Sequence, residues 1–409
     1  MGRTGRHIVF LNYPAHSHVY PTIPVVAELV ARGHRVSYVV PEQFAGGLRE
    51  AGATVLGYDS GAPASWGTIA IPERVTGDDL AAAALAHLNE GLLALDAAER
   101  ALAADRPDAL VYDAYGHLAG RVLAKKWRVP SVLSCTTFVA NETCDPYAAP
   151  SPRSPQVDPG HPALAEHGRR LAETLAAHGL TETPEAFAAP AEDLNLVFLP
   201  KSFQIGGETF DDRFAFVGPC LGNREFLGRW SPPASGAPVA LVTMGSFAYE
   251  NQDKFFRLCL EALADLPWHL VLAVGGLVDR AALGPLPGNV EVHAWVPQLS
   301  VLEHANAFVA HAGMGSTMES LAFGVPPLLI PRTAEQDLVA ARVAELGAGR
   351  WLAAEELTAP LLRETFLDLT GDRDAAARAR VLAADIAEAG GAARAAREII
   401  ALLDREDAR

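Results

Sequence analysis

Apolar positions fall into two kinds of run along the chain. "HIVFL" (7–11), "RVSYVV" (35–40), "DALVY" (108–112), "SVLSC" (131–135) and "LNLVFL" (194–199) are short and continuous. Runs of that kind predict strands buried on both faces, as in a parallel sheet covered by helices. Between the first two, Ile23, Val26, Leu29 and Val30 recur at helical spacing within residues 21–32, with Pro21 in the first turn and Gly33 at the end. This is a βαβ unit, whose crossover is expected to be right-handed. The pattern restarts after residue 237 with "VALVTMG" (239–245), "HLVLAVG" (269–275), "VEVH" (290–293), "AFVAH" (307–311) and "PPLLIP" (326–331). The Gly- and Pro-rich segment 218–238 separates the two sets and predicts a linker. The expected fold class is therefore α/β, with two doubly wound, Rossmann-like domains over 1–217 and 238–380. Ligands are expected at the C-terminal strand ends that face the gap between them. The tail is helical over 374–404, with a Gly-Gly break at 390–391.

Composition narrows the function. A chain of 409 residues, half of them hydrophobic, can bury a core in each of two domains. A net charge of −16 argues against nucleic acid and against an anionic membrane surface, and leaves small anionic ligands open. Cys135, Cys144, Cys220 and Cys259 show no C-x-x-C spacing, which fits reduced thiols in a cytoplasmic protein. The N-terminus has no apolar h-region, and Arg6 stands where a myristoylation signal needs Ser or Thr. The Ala/Leu-rich stretch 80–104 carries Asn89, Glu90, Asp96 and Glu99, so no stable membrane insertion is expected. Residues 145–162 hold six prolines and are expected to form a loop at the acceptor mouth, in the first domain.

The richest chemistry lies in "FVAHAGMGSTMESLAFG" (308–324), which reads as a strand, a glycine turn and a helix. A helix start presents unpaired N–H groups and the positive end of a dipole. Gly313 and Gly315 would let a phosphate approach the backbone, and Ser316 and His311 would add side-chain donors. The competing reading is structural: glycines after a strand are turn residues, and Ser316 to Glu319 is also a capping box. Neither a P-loop nor a full dinucleotide fingerprint is present. Trp295 and Gln298 in "WVPQ" add an aromatic face and an amide, although Trp295 alone would also suit a core. Glu335 and Gln336 in "PRTAEQD" suit the vicinal hydroxyls of a sugar. Base stacker, phosphate cradle and hydroxyl acceptors in that order trace a nucleotide-sugar.

"NYPAHSHVYP" (12–21) follows the first strand and carries two histidines. His16 is the candidate general base, and Asp113, ending "ALVYD", is the candidate carboxylate behind it. His18 is read as a loop or packing histidine. A metal site is not expected: it needs a third ligand, and "DRD" (372–374) reads better as a helix N-cap.

These segments resemble the family of UDP-glucuronosyl and UDP-glucosyl transferases. The stretch from "WVPQ" to "PRTAEQD", with "PAHSHVYP" and "LVYDAYGHLAGR", is most similar to actinobacterial macrolide glycosyltransferases of the oleandomycin-inactivating type. The resemblance implies a GT-B fold whose C-terminal helix, 381–409, crosses back onto the N-terminal domain. It implies Trp295 over the base, Gln298 near the nucleoside and Glu319 on the ribose. It puts His311, Gly315, Ser316 and Ser246 at the diphosphate, Glu335 and Gln336 at the sugar, and His16 with Asp113 as catalytic pair. This chain has Ser17 and Tyr20 where relatives often have Gly and Asn, and Glu335-Gln336 where they often have Asp-Gln. The implied reaction is inverting, metal-independent transfer from UDP-glucose, or second a TDP-deoxysugar, to a hydroxyl of a hydrophobic natural product such as a macrolide or aromatic polyketide. No cofactor is expected. The alternatives are a nucleotide-sugar 2-epimerase and a non-catalytic nucleotide-binding activator.

Overall fold

The computed structural model describes residues 5–61, 70–72, 74–115, 117–149, 151, 153–188, 191–222, 224–246 and 248–408. The first sheet holds β1 (His7–Leu11), β2 (Arg35–Val39) and β3 (Thr54–Leu56). The chain then leaves it at β4 (Ala70–Ile71) and returns with β5 (Ala109–Asp113), β6 (Ser131–Cys135), β7 (Leu194–Val197) and β8 (Phe214–Phe216). The strand order is β3-β2-β1-β5-β6-β7-β8, with every pair parallel.

The second set comprises β9 (Val239–Thr243), β10 (Ala248–Tyr249), β11 (His269–Ala273), β12 (Val290–His293), β13 (Ala305–Ala310), β14 (Pro327–Leu329) and β15 (Arg350–Trp351). Six of these form a parallel sheet in the order β12-β11-β9-β13-β14-β15, while β10 pairs with β4 of the other half.

Both faces of each sheet are covered, which is why the strands read as unbroken apolar runs. Along β1, Val9 and Leu11 join one core while Ile8 and Phe10 join another on the opposite face. That split is the period of two of a strand with side chains alternating across the sheet.

The C-terminal tail spans both halves. The helix Arg373–Glu388 runs unbroken through position 381 and packs on the second half, so the chain turns at 389–390 rather than at 381. The following helix, Gly391–Asp407, puts Ala395, Ile399, Leu402 and Leu403 into the core under the first sheet. Its ends are pinned there: Gly391 N–H donates to Val217 O at 2.8 Å, and Arg6 pairs with Asp407. In the linker 218–238 the described residues form no strand or α-helix, only the 3-10 turn Glu225–Leu227.

Strand order decides where the ligand crevice lies. In the first sheet, β1 is flanked by β2 and β5, so the chain direction of build-up reverses between β1 and β5. In the second sheet the same reversal lies between β9 and β13. Loops at such switch points splay apart and leave a crevice at the C-terminal strand ends. Residues 12–18 and Asp113 occupy the first of these crevices, and Ser246 and His311–Gly313 the second.

Candidate active site

Both crevices open into one cavity of about 720 Å³. Its walls include His16, His18, Tyr115 and Thr137 from the first half, and Ser246, Trp295, Gln298, His311, Gly313, Gly315, Ser316, Glu319, Glu335 and Gln336 from the second.

On the first wall, the loop after β1 closes into a single helical turn, His16–Val19. Asn12 holds it, donating through Nδ2 to His18 O at 3.1 Å and to Ser134 Oγ at 3.1 Å. Asp113 is fully enclosed at the end of β5 and accepts the Tyr13 N–H at 2.8 Å. The imidazole beside it is that of His18, with Nδ1 at 2.9 Å from Asp113 Oδ2. The approach is close but oblique, since Nδ1 makes no hydrogen bond of acceptable direction.

The expected pairing of His16 with Asp113 is thus corrected. Each helical residue turns the chain by about 100°, so side chains two apart point to nearly opposite sides. Only one of the two histidines can face β5, and it is His18. The His16 ring lies instead among Tyr20, Phe44 and Trp295, with centroids 4.9, 5.1 and 5.4 Å away. Burial pushes its pKa down.

Three further rings surround His18 and were not singled out in the sequence. Tyr115 meets it edge-on at 5.1 Å, and Tyr13 at 5.9 Å. His87, from the long helix Gly77–Leu102, packs edge-on to Tyr13 and Tyr115 at 4.9 and 5.5 Å. Burial, with the neighbouring His18 adding to it, lowers the His87 pKa. Tyr13 and Tyr115 lie within "NYPAHSHVYP" and "LVYDAYGHLAGR", while His87 showed only as a histidine in an Ala/Leu-rich helix.

On the second wall, the turn after β13 leads into the helix Met314–Ala322. Its first turn has no side-chain cap and no acidic residue. The capping-box alternative for Ser316 and Glu319 is therefore not realised, and Gly315 and Ser316 of this uncapped first turn line the cavity. The two glycines differ in purpose. A Cβ on Gly315 would meet nothing within 4 Å, so this backbone is open to a ligand. A Cβ on Gly313 would lie 2.5 Å from His311 Nε2, and one on Gly245 2.4 Å from His311 Cε1. Those two positions make room for the imidazole. His311 is buried, and burial pushes its pKa down to about 4, so the ring is neutral at pH 7. Ala312 takes a left-handed φ of 64° in the turn, a strained choice for a non-glycine residue of the kind found at ligand sites.

Trp295 is no core residue: with 48% of its surface exposed, its indole stands in the cavity. Gln298 Nε2 donates to Glu319 Oε2 at 2.6 Å, and Arg224 Nη1 donates to Glu319 Oε1 at 2.6 Å. Arg224 comes from the linker, whose composition marks a connection and gives no sign of a contact. Glu335, in the first turn of the helix Ala334–Glu345, accepts from Thr137 Oγ1 of the opposite wall at 2.8 Å. Gln336 is braced at both amide atoms, by Arg332 N–H at 2.7 Å and Tyr249 hydroxyl at 2.9 Å. One N–H and one lone pair of that amide remain for a ligand.

The proline-rich loop, expected at the acceptor mouth, bonds to the second half instead. Ser151 Oγ donates to Asp337 at 2.9 Å, and Arg153 lies 3.3 Å from Asp337 and bonds Glu355 through both Nη atoms at 2.7 Å. Pro150 and Pro152 lie outside the described residues. The "DRD" segment is a helix start: Asp372 accepts from the N–H groups of Asp374 and Ala375 at 2.8 and 3.0 Å. Among the described residues no group of three or more His, Cys, Asp or Glu side chains is placed to hold a metal, and no helix is long and apolar enough to cross a membrane.

Comparison with known proteins assigns this cleft to a family. Residues 257–402 match the family described as erythromycin biosynthesis protein CIII-like, C-terminal domain. Over almost its whole length the chain is 40% identical to the oleandomycin glycosyltransferase of Streptomyces antibioticus, covering 96% of this chain and 90% of that one. The chain belongs to the macrolide and NDP-glycosyltransferase family. This glycosyltransferase is also 37% identical to the NDP-glycosyltransferase YjiC of Bacillus subtilis strain 168, over 98% of each chain. The crystal structure of the calicheamicin glycosyltransferase CalG4 matches it with a TM-score of 0.82 at 39% identity, covering 98% of this chain and 99% of that one. The two facing parallel-sheet domains are those of the GT-B fold, and the glycosyltransferase is a hexosyltransferase enzyme.

Proposed function

We propose that the enzyme moves a hexosyl group from a nucleotide-sugar to a hydroxyl of a hydrophobic natural product by a single inverting displacement. His18 takes the proton of the acceptor hydroxyl. The acceptor oxygen forms its bond to the anomeric carbon as the bond from that carbon to the diphosphate oxygen breaks. The nucleoside diphosphate leaves with the electron pair. Asp113 stabilises the imidazolium that forms, and the imidazole supplies about 10²–10⁴-fold as general base. The growing charge on the diphosphate meets the first-turn N–H groups at Gly315 and Ser316, with the helix dipole and the neutral His311. Glu319 and Trp295 take the ribose and base, and Glu335 the sugar hydroxyls. Because charge is met by backbone and imidazole, the displacement needs no metal. UDP-glucose is the first donor expected and a TDP-deoxysugar the second. A macrolide or aromatic polyketide is the expected acceptor class.

The observation that carries this reading is His18 in the cavity wall, with the buried Asp113 carboxylate 2.9 Å behind it, in the same cavity as an uncapped helix start. The experiment compares His18→Ala with His16→Ala, using a phenolic acceptor, a panel of nucleotide-sugars and product mass. His18→Ala is expected to lose at least about 100-fold in kcat, while His16→Ala keeps most of it. Near-wild-type turnover by His18→Ala would reject the assignment. A parallel incubation with donor alone should return no epimerised sugar.

A further inference from the structure

His16 has no part in that proton transfer, and Arg224 belongs to the linker, yet both touch one residue. Tyr20 directly follows the turn that carries His18 and opens the 3-10 turn Tyr20–Thr22. The His16 ring stands edge-on to it at 4.9 Å and 76°, and Phe226 of the linker at 5.8 Å and 86°. The Arg224 guanidinium lies 5.4 Å from its ring centroid. The same guanidinium holds Glu319 Oε1, and the same His16 ring continues to Trp295. Tyr20 therefore reaches, each through one intermediate, the carboxylate assigned to the ribose and the indole assigned to the base.

We propose that Tyr20 is a positioning residue for the nucleoside, its ring setting Arg224 against Glu319 and His16 against Trp295. The inference rests on the reading that Glu319 takes the ribose hydroxyls. Arg224 grips the carboxylate through Nη1, and its Nε is buried without a hydrogen-bond partner. The guanidinium side chain is 11% exposed, so its aromatic neighbour weighs more than it would in open water. With one oxygen held by Arg224 and the other by Gln298, Glu319 keeps a fixed orientation and a spare lone pair on each oxygen for a diol. Remove the ring and the guanidinium can leave the carboxylate, which then turns freely. The consequence for function is that the loop bearing the base is registered against the donor before any acceptor arrives. It is the aromatic face that acts here, so phenylalanine should serve as well as tyrosine.

The test is calorimetric binding of UDP to the full-length enzyme and to Tyr20→Phe, Tyr20→Leu, Arg224→Leu, Tyr20→Leu/Arg224→Leu and Glu319→Ala, with acceptor KM measured alongside. Tyr20→Phe should bind UDP within about twofold of wild type. Tyr20→Leu should bind about threefold to thirtyfold more weakly, the range of a partly desolvated cation–π contact. Acceptor KM should stay unchanged, and the double variant should lose less affinity than the sum of the two single losses. Equal affinities for Tyr20→Phe and Tyr20→Leu, or additive losses in the double variant, would overturn the proposal. If Tyr20→Leu does not fold, Arg224→Leu reads the same contact from its other side, and unchanged UDP affinity there overturns it equally. A Glu319→Ala enzyme with full UDP affinity would remove the ribose reading itself, which separates the two failures.

Discussion

His18, after β1 of the first half, and His311, after β13 of the second, stand on facing walls of the cleft, and their surroundings differ. Each follows a central strand at the switch point of its own parallel sheet. His18 faces a buried carboxylate 2.9 Å away. His311 has burial alone as the cause of its shift, and its pKa falls to about 4. On the proposed mechanism, the Asp113 carboxylate stands beside the imidazolium that forms. The surroundings of His311 hold its ring neutral, able to donate one N–H to an anion without repelling or trapping a proton. The backbone around the two follows the same division. In that mechanism, the rings of the first wall meet an apolar acceptor and the amides of the second meet a diphosphate.

The contrast can be broken from either side, and the largest effect is expected at Asp113. Asp113→Ala should cut kcat by about 10²-fold or more while UDP affinity stays near wild type. Equal losses in both measurements would mean that the carboxylate only supports the fold. Next comes Gly313→Ala, whose added methyl must push the His311 ring aside. Overpacking of this kind costs about 1–3 kcal/mol, so UDP should bind about tenfold or more weakly while the variant's unfolding midpoint also drops.

Acid sharpens the same contrast through stability. Between its folded value of about 4 and the ordinary 6.5, His311 takes up a proton only when the chain unfolds. Its contribution to stability is therefore complete above pH 6.5 and is lost as pH falls toward 4. Between pH 7 and pH 5 this amounts to about 2 kcal/mol, in the direction that burial also gives His16 and His87. Denaturant titrations of wild type and His311→Gln at the two pH values check it, the variant showing the shallower dependence. The smallest effect is expected at the strap across the cleft. Arg153→Ala removes pairs to Asp337 and to the largely exposed Glu355, worth under about 1 kcal/mol and less at high salt.

Much of this architecture was legible because buried parallel strands announce themselves. β1, β6 and β12 fall on the residues that the apolar runs mark. β3, β8 and β15 were missed since two or three residues at or near a sheet edge leave no run to read. β4 and β10 have two residues each, and among the described residues each pairs with the other alone. At the site, residue types were readable and directions were not. "HSH" announces imidazoles after a strand, but which one faces β5 depends on the loop closing into a helical turn. Gly313 was legible as a close approach, and His311 is a group that comes close there. Arg224 left no trace because a linker's composition reports only that it is irregular, while its contact with Glu319 is made across 95 residues of chain.

The central claim is that an imidazole on one wall confronts a diphosphate seated on the other. A crystal structure with UDP bound tests it most directly. The diphosphate should lie on the N–H groups at Gly315 and Ser316 beside His311, with the His18 ring still against Asp113 and its free nitrogen facing the cavity. A diphosphate seated elsewhere, or a His18 ring turned out of the cleft, would contradict it.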